Sequence, residues 1–146
     1  MQDKRLTTDL AVGPQIGPGD AETLAALGFR SIIANRPDGE SSDQPPFAWI
    51  EAAARQHGLE TRYIPVVASR IGSDDIEAFR NALRELPKPV FAFCRTGTRS
   101  TLLWALANSD ALTPDERIRI AGLQGYDISA FRPQLEAGEE GSAPGA

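Results

Sequence analysis

Short apolar runs and helical stripes alternate along this chain. Runs at residues 10–12, 29–34, 60–67 and 90–93 have strand length and are bounded by Gly, Pro or Asn. Between them, apolar residues recur at helical spacing: Phe47, Ile50 and Ala54 in one segment, Ile76, Phe79, Leu83 and Leu86 in another. The breakers agree with that division. Asp20 is read as the N-cap of a helix that Gly28 stops, and His57-Gly58 ends residues 47–56. Ser73 is read as the cap of the next helix, which carries Asp74, Asp75 and Glu77 in its first turn and stops at Pro87-Lys88-Pro89. Further helices are predicted at about residues 100–108, 114–122 and 128–135, the second opened by Thr113-Pro114-Asp115-Glu116.

Strands alternating with helices predict a single α/β domain with a mostly parallel central sheet flanked by helices. It is expected to span residues 1–136, with a disordered tail at 137–146 rich in Gly, Ala and Glu. Sheets of this kind bind ligands beyond the carboxyl ends of their strands. The loop at residues 35–40, the stretch 67–72 and Cys94 all fall on that edge.

Composition narrows the partners. The chain has 146 residues, a net charge of −5, one Cys and one His. That length suits one domain with a sizeable core. The acidic balance argues against nucleic-acid binding, which needs a basic face. No run is long enough to cross a bilayer, and no apolar signal segment follows Met1. A lone Cys makes no internal disulfide, and one Cys with one His makes no metal cluster, so no metal or cofactor is expected and a cytoplasmic setting is. Within this acidic chain, cations concentrate at Arg95 and Arg99, which fits a small anionic ligand.

That cationic segment holds the cysteine. Val-Phe-Ala-Phe-Cys94-Arg95-Thr96-Gly97-Thr98-Arg99-Ser100 reads as a buried strand, a short loop and the start of a helix. Backbone N–H groups at such a junction cradle anions. The helix dipole and two guanidinium groups favour a thiolate there. Cys94 is therefore the candidate nucleophile, against the plainer reading of a buried structural thiol. Arg99 is the candidate anion clamp, since its planar fork matches two oxygens at once. Arg95, Thr96, Gly97 and Thr98 would line the cradle, Gly97 supplying a positive φ.

This loop resembles the phosphate-binding loop of cysteine-dependent protein phosphatases, including the dual-specificity group. It also resembles the active-site loop of rhodaneses, which carry sulfur as a cysteine persulfide. The wider chain, over about residues 6–110, resembles the phosphatase-like domain of the beta-lactamase hydrolase-like proteins, through Pro14-Gln15, Leu27-Gly28-Phe29, Asn35-Arg36-Pro37-Asp38-Gly39-Glu40, Ile64-Pro65-Val66 and the Cys94 loop. The resemblance implies a cysteine-phosphatase-like fold, with Cys94 as nucleophile, Arg99 on the substrate oxygens, and Ser100 assisting departure of the thiolate or capping the helix. It also implies a possible partner, a metallo-hydrolase-like protein of sulfur metabolism.

Departures from the phosphatase pattern decide the ranking. Four residues separate Cys94 from Arg99, one fewer than in the phosphatases, and Phe93 stands where they carry His. The stretch Val67-Ala68-Ser69-Arg70 holds no carboxylate where dual-specificity enzymes place their general-acid Asp. Arg36 and Asp38 are possible accessory residues, with Asp38 or Asp74 as a substitute acid. Sulfur transfer tolerates all of these departures. The sequence therefore favours a sulfurtransferase with a Cys94 persulfide, acting on thiosulfate or a persulfide. The alternative is a phosphomonoester hydrolase working through a phosphocysteine, and the third reading is a non-catalytic anion-binding module. Trp49 and Trp104 are read as core, and His57 as a solvated helix end.

Overall fold

The computed structural model describes residues 3–141. Its strands are β1 (Lys4–Arg5), β2 (Leu10–Gly13), β3 (Ser31–Ala34), β4 (Glu60–Tyr63) and β5 (Val90–Phe93). Its helices are α1 (Asp20–Ala26), α2 (Phe47–Gln56), α3 (Ser73–Glu85), α4 (Thr98–Ala107), α5 (Pro114–Leu123) and α6 (Arg132–Gly141), with 3-10 turns at Ala68–Arg70 and Ser129–Phe131. The sheet order is β1-β2-β5-β3-β4. All neighbours pair in parallel except β1, which runs antiparallel to β2 at the edge.

Every residue of β2, β3 and β5 is buried, as expected for strands covered on both faces. The pleat divides them into two cores. Leu10, Val12, Ile33, Val90 and Ala92 join Phe79, Leu103, Trp104 and Leu135 on one face. Ala11, Ile32, Ala34, Phe91 and Phe93 join Leu24, Phe29 and Ile50 on the other.

The predicted single α/β domain is observed, and several local readings shift. Asp20 is the first residue of α1 rather than its cap, and its carboxylate accepts the N–H of Gly17 at 2.8 Å. Ser73 likewise begins α3 behind Gly72, whose N–H donates to Asp75 at 2.9 Å. The third predicted run is a regular strand only to Tyr63, although the N–H groups of Ile64 and Val66, on either side of Pro65, still donate to Ala34 and Asn35 at 2.9 Å. Trp104 is core, but Trp49 is 62% exposed. Helix α2 buries Ile50 and Ala54 on one face, and Trp49 lies one residue off that stripe. Residues 137–141 of the tail expected from sequence belong to helix α6. Helix α6 is anchored by buried Leu135 and continues through Gly141, because adding residues to a formed helix costs far less than starting one. Residues 142–146 of that predicted tail lie outside the described residues.

Stability should follow burial rather than local caps. Thr113 caps α5, accepting the N–H of Glu116 at 3.1 Å, and Thr113→Ala should cost about 1 kcal/mol. Phe91 is fully buried and meets Phe29 edge-to-face; Phe91→Ala should cost about 3–5 kcal/mol. Urea denaturation of both variants measures the contrast.

Candidate active site

The parallel register builds the site. Gly13, Phe93, Ala34 and Tyr63 stand side by side as the last residues of adjacent strands. The segments that follow them therefore leave the sheet together. Backbone bonds stitch them: Asn35 N–H donates to Phe93 at 2.8 Å, Val66 N–H to Asn35 at 2.9 Å, and Gln15 N–H to Arg95 at 3.2 Å.

Cys94 sits at the floor of this edge, 1% exposed. Its Sγ accepts the N–H of Gly97 at 3.0 Å. Gly97 takes a φ of 101° and precedes α4, which no β-carbon would permit without strain. The first N–H groups of α4 have no carbonyl one turn back to receive them. They and the helix dipole make this end of α4 an anion cradle.

Arg99 is already answering an anion. Its Nη1 donates to Glu40 Oε2 at 2.7 Å and its Nη2 to Glu40 Oε1 at 2.9 Å. Nη1 also donates to the Val66 carbonyl at 3.0 Å. Arg36 Nε reaches the same Glu40 Oε1 at 3.0 Å, while its Nη1 donates to Gln15 at 3.2 Å. One carboxylate thus holds two guanidinium groups. Arg99, with Arg36 assisting, holds the Glu40 carboxyl below the usual carboxylate range, against a smaller opposing effect of burial. The hydrogen bonds that Arg99 donates to Glu40 in turn raise the Arg99 pKa, against a smaller opposing effect of burial. Glu40 is accordingly ionised at neutral pH.

Ser100 and Asn35 fix the base of the helix. The buried Ser100 hydroxyl donates to Asn35 Oδ1 at 2.9 Å, and Asn35 Nδ2 donates to the Ile64 carbonyl at 2.9 Å. Ser100 is the third residue of α4 and does not cap it; Gly97 holds the cap position. In this arrangement its one proton goes to Asn35. Thr96 and Thr98 touch through their hydroxyls at 3.0 Å. Arg95 is exposed and lines a cleft with Arg36, Glu40, Ser41 and Asp43.

The comparisons with known proteins agree with this geometry. The family model for the phosphatase-like domain of beta-lactamase hydrolase-like protein matches residues 3–111. The chain belongs to this family. A beta-lactamase hydrolase-like protein of Agrobacterium fabrum strain C58 is 36% identical over 142 residues, which are 93% of this chain and 32% of that protein. The chain spans 28–32% of the length of the beta-lactamase hydrolase-like relatives it matches. A provisionally named phosphatase of Neisseria meningitidis Z2491 superposes with a TM-score of 0.85 at 38% identity, over 94% of this chain and 99% of that one. Kinase associated phosphatase, in a form whose catalytic-site cysteine was replaced by serine, superposes with a TM-score of 0.66 at 17% identity, over 94% of this chain and 89% of that one. At that identity the likeness shows the fold alone. The domain is phosphatase-like and has a cysteine-phosphatase-like fold.

Within this phosphatase-like domain, the residues named from sequence part company. Cys94, Arg99, Gly97 and Ser100 meet at one junction, and Arg36 reaches it through Glu40. Asp38, one of the two proposed substitute acids, is engaged elsewhere: its carboxylate accepts the N–H of Phe47 at 2.9 Å and so serves the start of α2. The carboxylate that does reach Arg99 is Glu40, in the same loop. Its spacing from Arg36, four residues on, was the available signal, and the positive φ of Gly39 turns the chain to bring it back. Asn35 and Gln15 also contact the site and carry no such signal. Tyr126, whose hydroxyl donates to the Thr96 carbonyl at 3.0 Å, comes from far along the chain.

Asn35 should be costly to remove. Asn35→Ala leaves the Ser100 hydroxyl and the Ile64 carbonyl buried without this partner, and should lower stability by about 1–3 kcal/mol in denaturant titrations. Glu40 should give a pH signature. Its folded pKa is lowered, so its contribution is complete above the ordinary carboxylate range and is lost as pH falls through the folded value. The stability advantage of wild type over Glu40→Gln, measured by denaturation across pH, should be present at neutral pH and vanish in acid.

Proposed function

We propose that this domain hydrolyses phosphomonoesters through a phosphocysteine on Cys94. One observation carries the reading: Arg99, at the start of α4 beside Cys94, grips two oxygens of a single anion. Glu40 supplies those oxygens here, and two oxygens of a phosphoryl group would take the same fork. The likeness to proteins named as phosphatases supports the same class of reaction.

The steps follow from the residues. Substrate exchanges with Glu40 on Arg99, and Arg36 keeps the displaced carboxylate nearby. The Cys94 thiolate attacks phosphorus; an S–P bond forms and the P–O bond to the leaving group breaks. The oxyanions face the N–H groups of the loop and the positive end of α4. Water then attacks the phosphocysteine, releasing inorganic phosphate and returning the thiolate. Paired with two guanidinium groups, Glu40 is a poor proton donor to the leaving group, and residues 67–70 contain no carboxylate. The substrate class this favours has a leaving group that departs unprotonated, such as a phenolate. The greater length of the relatives leaves room for a partner or further domain, for which a metallo-hydrolase-like sulfur enzyme is the kind expected.

Sulfur transfer stays as the second reading, favoured by the short Cys94–Arg99 spacing. There Cys94 would take the outer sulfur of thiosulfate, releasing sulfite and leaving a persulfide for cyanide to accept. The third reading, an idle anion-binding module, draws on the burial of Cys94 and the occupancy of Arg99 by Glu40.

Turnover of aryl phosphates should exceed that of alkyl phosphates by about 10²–10⁴-fold, the usual worth of general acid catalysis. Cys94→Ser should abolish it and Arg99→Ala should reduce it severely. Aryl phosphate turnover that persists in Cys94→Ser overturns the reading. Thiocyanate formation from thiosulfate and cyanide, without aryl phosphatase activity, would put sulfur transfer in its place; neither activity would leave the binding module.

A further inference from the structure

The Thr96–Gly97 peptide unit is held at both ends. Its N–H end, on Gly97, donates to Cys94 Sγ at 3.0 Å. Its C=O end, on Thr96, accepts the Tyr126 hydroxyl at 3.0 Å. A trans peptide is one rigid plane with its N–H and C=O pointing oppositely. Fixing the oxygen therefore fixes the direction of the N–H.

The unit needs such an anchor. A β-carbon on Gly97 would lie 2.1 Å from the Tyr126 oxygen, so the ring reserves this position for glycine. The same glycine, at a φ of 101°, lowers the steric barrier to turning this peptide over. A flipped unit would present a carbonyl oxygen to the sulfur and repel a thiolate. Tyr126 removes that freedom.

Tyr126 is itself firmly placed. It is 7% exposed. The chain turns after α5 at Gly125, with a φ of 92°, and Tyr126 N–H donates to Ala121 at 3.0 Å. The Lys4 ammonium stands 4.9 Å from the ring centroid on β1, an attraction between a cation and the ring face. Burial, and then the charge of Cys94, raise the Tyr126 pKa, so the hydroxyl keeps its proton and remains a donor at neutral pH. Tyr126 lies outside residues 3–111, the part that the family model matches.

We propose that Tyr126 is a positioning residue for the Cys94 nucleophile: its hydroxyl orients the Thr96–Gly97 peptide so that the Gly97 N–H faces the sulfur. The catalytic consequence rests on the cysteine-nucleophile reading above, but the orientation itself does not. The same N–H would stabilise the thiolate as it attacks and as it leaves.

Tyr126→Phe tests this, because the phenyl ring still fills its site and only the hydroxyl is lost. Melting should stay within a few degrees of wild type. Hydrogen exchange of the Gly97 amide, followed by NMR, should accelerate by about tenfold, as one hydrogen bond to a charged group is weakened. The pH midpoint of Cys94 alkylation by iodoacetamide should move upward, since the thiolate loses a hydrogen-bond donor that the neutral thiol needs less. Aryl phosphate turnover should fall in kcat/KM. Faster Gly97 exchange and an upward-shifted alkylation midpoint support the proposal even where no phosphatase activity is found, which keeps it separable from the proposed reaction. Wild-type exchange at Gly97 together with wild-type alkylation overturns it. Should Tyr126→Phe melt far below wild type, the comparison passes to wild type and Cys94→Ser. An unchanged Gly97 amide resonance between those two then overturns the contact on which the proposal stands.

Discussion

The positive charge gathered at the start of α4 has to be answered by an anion. The helix N-terminus, Arg99 and Arg36 converge within an otherwise acidic chain. In this structure Glu40 answers, with both oxygens on Arg99 and one shared with Arg36. That pairing accounts for the shape of the loop after β3 and for the ionised state of Glu40. On the proposed reading, an incoming anion would compete with a resident carboxylate of the same chain, and affinity would reflect the difference between two partners rather than the strength of one.

A second group of contacts is neutral and buried. Asn35 ties the end of β3 to the Ile64 carbonyl after β4 and to Ser100 in α4. Its backbone also joins Phe93 and Val66. All of these groups are neutral, and the Asn35 and Ser100 side chains are fully buried and satisfied. Such a network rigidifies the floor of the site, beneath the charged pair of Arg99 and Glu40.

The Cys94 loop is served from distant parts of the chain. Lys4 lies near the beginning, and Tyr126 beyond the segment that the family model covers. Together they close over the back of the Cys94 loop, the ring occupying the space that a side chain at position 97 would need. The Cys94 loop is thereby braced by a side chain from the turn after α5.

The sequence alone determined the architecture and the junction. Covered strands leave continuous apolar runs, helices leave periodic stripes, and Gly and Pro mark the breaks, all of them local effects readable in order. Cys94, Gly97 and Arg99 were legible for the same reason, being neighbours on one loop. It also ranked sulfur transfer first from the spacing of that loop, an ordering that the phosphatase-like relatives do not favour. Tertiary structure alone decided which acidic residue of the β3 loop faces Arg99: Glu40 reaches it, while Asp38 is drawn to the start of α2. It alone brought Asn35 to Ser100 and Tyr126 to Thr96, contacts spanning 65 and 30 residues. Local propensity carries no record of such pairings, because strand register and helix packing select them only once the sheet has assembled.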